Sequence, residues 1–326
     1  MKRLFLFFTF LCCCFASLFA HAQLQTQDYP NRVGKIIAPY APGGTVDALA
    51  REIAMAFTSA LGKSFIVENK PGAGGNVGLA ALSKAPKDGY TLGIGAANML
   101  ITNRFVYPSL PFDTLKDFVP IAFIGRVPFI LVVNKNVKAD NIRELIALVK
   151  AKQELFNFGS SGIGNTGHLY GELLKIKTGI DMQHIPFKSS GEATQEVVTG
   201  RIQLQFGTPI ELMPHITKGS IKAIAVAGSQ RLALLPMTPT LSELGIAGFE
   251  SPTWFGLVAP SGTPKEIVTL LNNETQKALK SNAVKVRLEL SGLETQYMTP
   301  EQFSLFLNDE INRWEQIVKS SEFKIN

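Results

Sequence analysis

Cysteine is almost missing from this chain. Of 326 residues only three are cysteine, and Cys12, Cys13 and Cys14 stand side by side near the start. Everything beyond residue 14 therefore lacks a thiol, which excludes catalytic cysteine, zinc–cysteine and iron–sulfur chemistry there, and disulfide stapling with them. Histidine is nearly as scarce, with four in total: His21, His168, His184 and His215, at no metal-binding spacing. Charged residues make up only 18% of the chain, 32 Lys and Arg against 26 Asp and Glu, and no block of one sign occurs. Without a basic run, or basic residues interleaved with aromatics, a nucleic-acid partner is not expected. Beyond Phe19 no apolar run approaches the roughly 20 residues of a membrane-spanning helix.

The cysteines fall in the one long apolar stretch. Lys2-Arg3 precede a nearly all-apolar run from Leu4 to Phe19, and Ala20-His21-Ala22 has the form of a signal-peptidase site. Residues 1–22 therefore read as an export signal, and no cysteine in it has the small-residue context of a lipoprotein site. Cleavage after Ala22 would leave 304 of the 326 residues and lower the formal net charge from +6 to +4, because Lys2 and Arg3 are lost. That length suffices for two lobes, each with its own core.

What the chain does have is a repeated pattern of strand, flexible loop and helix. Ile36-Ile37-Ala38 is a short apolar run broken by Pro39-Tyr40-Ala41-Pro42-Gly43-Gly44. From there Val46, Leu49, Ala50, Ile53, Ala54, Phe57 and Leu61 recur at helical spacing. Thr45 stands where an N-cap belongs and Gly62 where a C′ glycine does. A helix N-terminus behind a glycine turn accepts anions, although an ordinary turn with nothing bound has the same sequence. Asp47 in the first helical turn either caps a backbone N–H or orders a bound water or ligand hydroxyl. The pattern returns at Leu155–Ser160, followed by Ser161-Gly162-Ile163-Gly164-Asn165-Thr166-Gly167-His168 and a helix that Gly179 stops. Strands and helices alternate elsewhere, which predicts an α/β fold with mostly parallel sheets. Ile121 to Val133 reads as two strand-like halves joined by Gly125-Arg126, crossing between lobes, and Phe255 to Ala259 as the return crossing. The expected division is residues 23–125 for the first lobe, 126–250 for the second, and 251–326 for the return to the first.

Other chemistries have partial signatures at the same loops. Gly162-x-Gly164-x-x-Gly167, with Asp181 further on, matches a dinucleotide fingerprint. An exported chain meets no nicotinamide pool, however, and Ser160, Ser161, Asn165 and Thr166 suit a small anion better, so no cofactor is expected. Gly-x-Ser-x-Gly fails because Ile163 replaces the second glycine. His168 reads as a hydrogen-bonding or ligand-contact residue, and His184 and His215 as structural. No set of nucleophile, base and orienter can be assembled, so an enzyme is not expected, and no metal site is expected either. Asn98, Phe187 and Trp254 are further candidates to shape a cleft, Trp254 being equally readable as core.

Short motifs in a shared order extend across nearly all of the chain after the signal. They are Pro42-Gly43-Gly44-Thr45-Val46-Asp47, Val67-Glu68-Asn69-Lys70-Pro71-Gly72-Ala73-Gly74-Gly75-Asn76, Pro86-Lys87-Asp88-Gly89-Tyr90-Thr91-Leu92 and Leu110-Pro111-Phe112-Asp113. Gly159-Ser160-Ser161-Gly162, His184-Ile185-Pro186-Phe187-Lys188 and Trp254-Phe255-Gly256-Leu257-Val258-Ala259-Pro260 complete the set. In these the sequence resembles the Bug receptors, the periplasmic solute-binding proteins of tripartite tricarboxylate transporters. The resemblance implies a two-lobed, hinged type II periplasmic binding fold with a ligand carboxylate between the lobes, held by loop N–H groups and waters without an arginine clamp. It implies contacts from Tyr40, Gly43, Gly44, Thr45 and Asp47 on one side, and from Ser160, Ser161, Asn165, Thr166 and His168 on the other. It further implies a periplasmic receptor that serves integral membrane transporter subunits, a ligand sensor for a membrane signalling protein being the alternative; nothing in the sequence indicates an oligomer, so a monomer is expected. Two departures stand out. Gly167 replaces the Ser or Thr that often precedes the histidine. Phe206-Gly207-Thr208 lacks the Asp that many members carry after the phenylalanine, which argues against an amino-acid ligand and for a carboxylate without a positive charge.

Overall fold

Pro128 divides the architecture, because the strand before it and the strand after it belong to different sheets. The computed structural model describes residues 29–152, 155–289 and 292–320, so the expected signal at 1–22, with its cysteines, lies outside the described residues. In chain order the main elements begin with β1 (Gly34–Ala38), α1 (Thr45–Leu61), β2 (Phe65–Asn69), α2 (Asn76–Ser83), β3 (Thr91–Ala96) and β4 (Phe118–Val127). Next come β5 (Phe129–Asn134), α3 (Ile142–Ala151), β6 (Asn157–Ser160), α4 (Thr166–Thr178), β7 (Gln183–Pro186), α5 (Ser190–Thr199), β8 (Leu204–Gly207), α6 (Pro209–Thr217) and β9 (Ile221–Ala227). The chain then returns through β10 (Thr253–Pro260), α7 (Lys265–Lys280) and α8 (Pro300–Ser320).

Two five-stranded sheets result, in the orders β2-β1-β3-β10-β4 and β7-β6-β8-β5-β9. Each keeps three parallel strands, β2-β1-β3 and β7-β6-β8, made by strand–helix–strand units. The antiparallel strands are those next to the crossings: β10 against β3 and β4, and β5 against β8 and β9. Gly125-Arg126 do not form the joint. They sit inside β4, where Arg126 exchanges backbone hydrogen bonds of 2.9 and 2.8 Å with Glu294. A Cβ on Gly125 would lie 2.6 Å from the Glu294 carbonyl oxygen, so the glycine admits a close backbone neighbour rather than a turn.

Each sheet has its own core, as two apolar periodicities require. On α1 the residues Val46, Leu49, Ala50, Ile53, Ala54 and Phe57 are all buried, while Met55 on the opposite face is exposed. They pack with Ile36, Leu92, Phe123 and Leu257 of the first sheet. Leu131, Leu145, Phe158, Leu174, Leu204 and Phe249 form the core of the second. Each such side chain contributes roughly 1.5–3 kcal/mol of burial, enough to hold each lobe separately. The carboxyl ends of β1, β3, β6 and β8 all lead into loops at one cleft, which is where open α/β sheets bind ligands.

Candidate functional site

The cleft holds a cavity of about 50 Å³. From the first sheet's side it is lined by Tyr40, Gly44, Thr45, Val46, Ala96, Asn98, Thr253 and Phe255. From the second come Phe129, Ser161, Asn165, Thr166, Ser190, Phe206, Thr208 and Glu211. No lysine, arginine or histidine is among them.

The first loop differs in detail from its sequence reading. Gly44 is the N-cap of α1, with φ −100 and no side-chain cap, and Thr45 is the first helical residue. The threonine is free to point forward because the glycine takes the extended cap position. Its Oγ1 meets Thr208 Oγ1 at 2.6 Å and Glu211 Oε2 at 3.2 Å. Behind the loop, Asp47 accepts from the Gly43 N–H at 3.1 Å, from Arg51 at 2.9 and 3.0 Å and from Asn69 at 2.9 Å. Burial alone would raise its pKa, but these bonds outweigh it and hold the carboxyl below its ordinary range. Asp47 thus stands outside the lining as a brace, and the Gly43 N–H is spent on it. Tyr40 Oη donates to the Gly74 carbonyl at 3.1 Å and accepts from Asn98 at 3.1 Å. Its phenol is pushed up to about 12 by burial, so it acts here only as a neutral hydroxyl.

The second loop is built from its own side chains. Asn165 caps α4, its Oδ1 accepting the His168 N–H at 3.1 Å, while its Nδ2 donates to Ser160 Oγ at 3.0 Å. Ser160 Oγ also meets His184 Nε2 at 2.6 Å. His168 Nδ1 accepts the Gly164 N–H at 3.1 Å, and its ring stacks on His184 with centroids 4.0 Å apart. Burial lowers both imidazoles, His184 to about 3 with help from its neighbour His168 and from Lys175. Ser160 and His168 therefore frame the loop from behind and lie outside the cavity lining. Gly164 and Gly162 have φ of +81 and +118, conformations the turn needs. Gly167 has a packing reason: a Cβ there would lie 2.8 Å from the Phe206 carbonyl oxygen.

Two specificity candidates fall elsewhere. Phe187 lines a neighbouring groove of about 510 Å³ with Tyr107, Ile163, Lys188 and Glu192. Trp254 is core, edge-on to Phe303 and Phe306 with centroids 5.9 and 5.2 Å away. The reason is the strand period of two: Thr253 and Phe255 of β10 face the cavity, so the residue between them cannot.

Glu211 was not foreseen, nor were its partners Ser190 and Thr208. The signal was present, since Thr208-Pro209-Ile210-Glu211 is a capping box with proline at the first helical position. The Thr208 N–H donates to Glu211 Oε1 at 3.0 Å, and Ser190 Oγ donates to Oε2 at 2.5 Å. Glu211 is 8% exposed, and burial raises its carboxyl above the usual range against the lowering effect of Ser190, Thr208 and Thr45. The cavity thus carries an acid one turn beyond Gly207, so the lack of Asp at that position does not leave this end of the cleft without a carboxyl. The two sides touch directly: the Ala41 N–H donates to the Lys188 carbonyl at 3.1 Å and Tyr107 Oη to that of Ile163 at 3.0 Å.

Known proteins are similar to this chain in sequence and fold. The profile of the tripartite tricarboxylate transporter family receptor matches residues 49–323. BugT of Bordetella pertussis is 35% identical over 305 residues, covering 93% of this chain and 94% of that protein. Among solved structures, the R. palustris protein Rpa4515 with adipate is 35% identical at a TM-score of 0.85, covering 90% of this chain and 98% of that one. MatC from Rhodopseudomonas palustris with bound malate is 30% identical at a TM-score of 0.84, covering 89% and 100%.

Proposed function

The chain belongs to the tripartite tricarboxylate transporter receptor family, and from that premise we propose that it captures a small carboxylate with an apolar body between its lobes and delivers it to a membrane transporter. Members of the family are periplasmic receptors. We place this chain in the same compartment, as a monomer released by cleavage after Ala22. The observation that supports the reading is the convergence of two helix N-termini, α1 and α4, on one cavity without a cationic side chain. The first N–H groups of a helix have no partner inside it and carry partial positive charge, so they offer a carboxylate donors and field together. Val46, Ala96, Phe129, Phe206 and Phe255 supply the apolar part of the wall, beside the polar side chains of Tyr40, Asn98, Ser190, Thr208 and Thr253. The apolar residues favour hydrocarbon over hydroxyl, and with no lysine or arginine a third ligand charge would go unpartnered. A mono- or dicarboxylate therefore fits better than a tricarboxylate. Relatives solved with adipate and malate agree with that class. We assign no catalytic step, since no imidazole or amine stands beside the cavity hydroxyls to take a proton.

Thermal unfolding of the secreted form against adipate, malate, citrate, benzoate and amino acids tests this. A true ligand at a hundred times its Kd stabilises the fold by about 2.7 kcal/mol. Thr166→Pro should abolish the shift while leaving the unliganded midpoint nearly unchanged, because proline is tolerated at the first helical position, where it removes the N–H and the hydroxyl that face the cavity. A shift with citrate alone, or one that survives Thr166→Pro, would refute the reading.

A further inference from the structure

Glu211 is out of place in a cleft that receives an anion. It reaches from α6 to the N-terminus of α1, the ground a ligand carboxylate would occupy, and its oxygens bond only to Thr45, Thr208 and Ser190. Two ionised carboxylates within about 4 Å repel strongly in a desolvated site. One proton shared between them turns that repulsion into a short charge-assisted bond. Resting on the carboxylate reading above, we propose that Glu211 is the specificity-determining residue at this end of the cleft, holding a proton on Oε2 and donating it in a hydrogen bond to a ligand carboxylate oxygen. The proton is taken from solvent and stays on Glu211.

The neighbours suit that state. Thr208 N–H is an obligate donor to Oε1, which leaves Oε1 an acceptor. Around Oε2 the partners are the hydroxyls of Ser190 and Thr45, which turn to accept as readily as they donate, while the Thr45 N–H also faces the carboxyl and opposes the larger effect of burial. Between Thr45 and Thr208 either hydroxyl can be the donor, so the chain of hydroxyls can reverse. Burial already pushes the Glu211 carboxyl up, and no cation among the described residues offsets it. The charged side chains on the packed elements have partners of their own, and that of Lys188 is exposed. On α1, Asp47 is bound by Arg51 and Asn69. On α5, Glu192 accepts the Lys188 N–H and Glu196 pairs with Arg201. On β9, Lys222 donates to the Val137 carbonyl and pairs with Asp140. On α6 itself, His215 leans toward Gln195, and across the cavity Tyr40 is neutral. Strands β5 and β8 carry no charged side chain.

The test is the pH dependence of affinity. Titration calorimetry with adipate and malate, from pH 6.5 to 9.5, compares the wild-type protein with Glu211→Gln. Once pH exceeds the Glu211 pKa of the empty cleft, wild-type Kd should rise by up to tenfold per pH unit, with close to one proton taken up per ligand in buffers of different ionisation enthalpy. Glutamine donates an N–H without needing a proton, so its Kd should stay within about threefold over the range. A wild-type Kd that is flat with pH, no proton uptake, or the same alkaline rise in Glu211→Gln would overturn the proposal. So would tighter binding of 6-aminohexanoate than of adipate, lost in Glu211→Gln, because the acid would then be ionised and facing an ammonium group. The proton-uptake arm uses wild-type protein alone and stands even if the variant misfolds. If no carboxylate binds at pH 6.5, the receptor reading itself fails; a carboxylate that binds without a proton defeats only this inference.

Discussion

The two loops that reach the cleft look alike in sequence and are held in opposite ways. The first, Pro42 to Thr45, is braced from behind: Asp47 takes the Gly43 N–H and is itself fixed by Arg51 and Asn69. Its cap residue is a glycine with no side chain, so the front of α1 is met from the other lobe, where Glu211 faces it and Thr45 reaches across to Thr208. The second, Ser160 to Thr166, is held from within, with Asn165 spending one donor on Ser160 and its carbonyl oxygen on the third N–H of α4. The first loop thus depends on the other lobe to complete it. The second is completed by its own side chains. An anion gripped by both would be positioned by the second and enclosed by the first.

That dependence can be broken at one atom. Gly191, in the first turn of α5, would place a Cβ 2.4 Å from the Gly43 carbonyl oxygen and 2.8 Å from its carbonyl carbon. Both are backbone atoms and cannot swing away. Gly191→Ala should cut carboxylate affinity on the order of 100-fold, about 2.7 kcal/mol. Within its own lobe alanine suits the helix better than glycine, so the unliganded melting temperature should hold or rise slightly. Unchanged affinity by calorimetry would mean the loops do not meet when ligand is bound.

The second loop should answer to its cap instead. Asn165→Ala removes the bond to the His168 N–H and leaves Ser160 short of a donor, a cost of about 1–2 kcal/mol in urea unfolding. A midpoint equal to wild type would show that the stacked histidines hold the loop without the asparagine.

Much of this was legible in the sequence, and the gaps have physical causes. Period and glycine placement gave the α/β architecture and brought Tyr40, Gly44, Thr45, Asn98, Ser161, Asn165 and Thr166 to one cavity. Register was harder. Trp254 lies between two cavity residues on a strand, and only the pairing of β10 with β4 decides which face it takes. Gly43, Asp47, Ser160 and His168 are next to the cavity in sequence but turned behind it by hydrogen bonds that no local pattern announces. Phe187 is displaced into the adjoining groove. Glu211 carried a readable capping box, but a cap looks structural until its carboxylate is seen to bridge two lobes.

Acid should separate the loops by the smallest margin. Burial lowers the His168 and His184 imidazoles, and an unfolded histidine titrates near 6.5. Depressed folded values mean that the unfolded state binds protons first. Stability is therefore full above about 6.5 and declines as pH falls toward about 3. The brace of the first loop behaves otherwise. Asp47 has a lowered value, so its contribution persists down to the ordinary aspartate range near 3.8 and is lost only below it. At pH 5 the second loop should have loosened while the first has not. Allowing for partial exposure of His184, the loss should be no more than about 1 kcal/mol relative to pH 7.5. Hydrogen exchange, corrected for intrinsic rates, should show amides 160–168 losing protection before amides 41–47, and His184→Gln should flatten the acid limb. If the first loop opens first, or the variant keeps the wild-type slope, the histidine pair is not what holds the second loop.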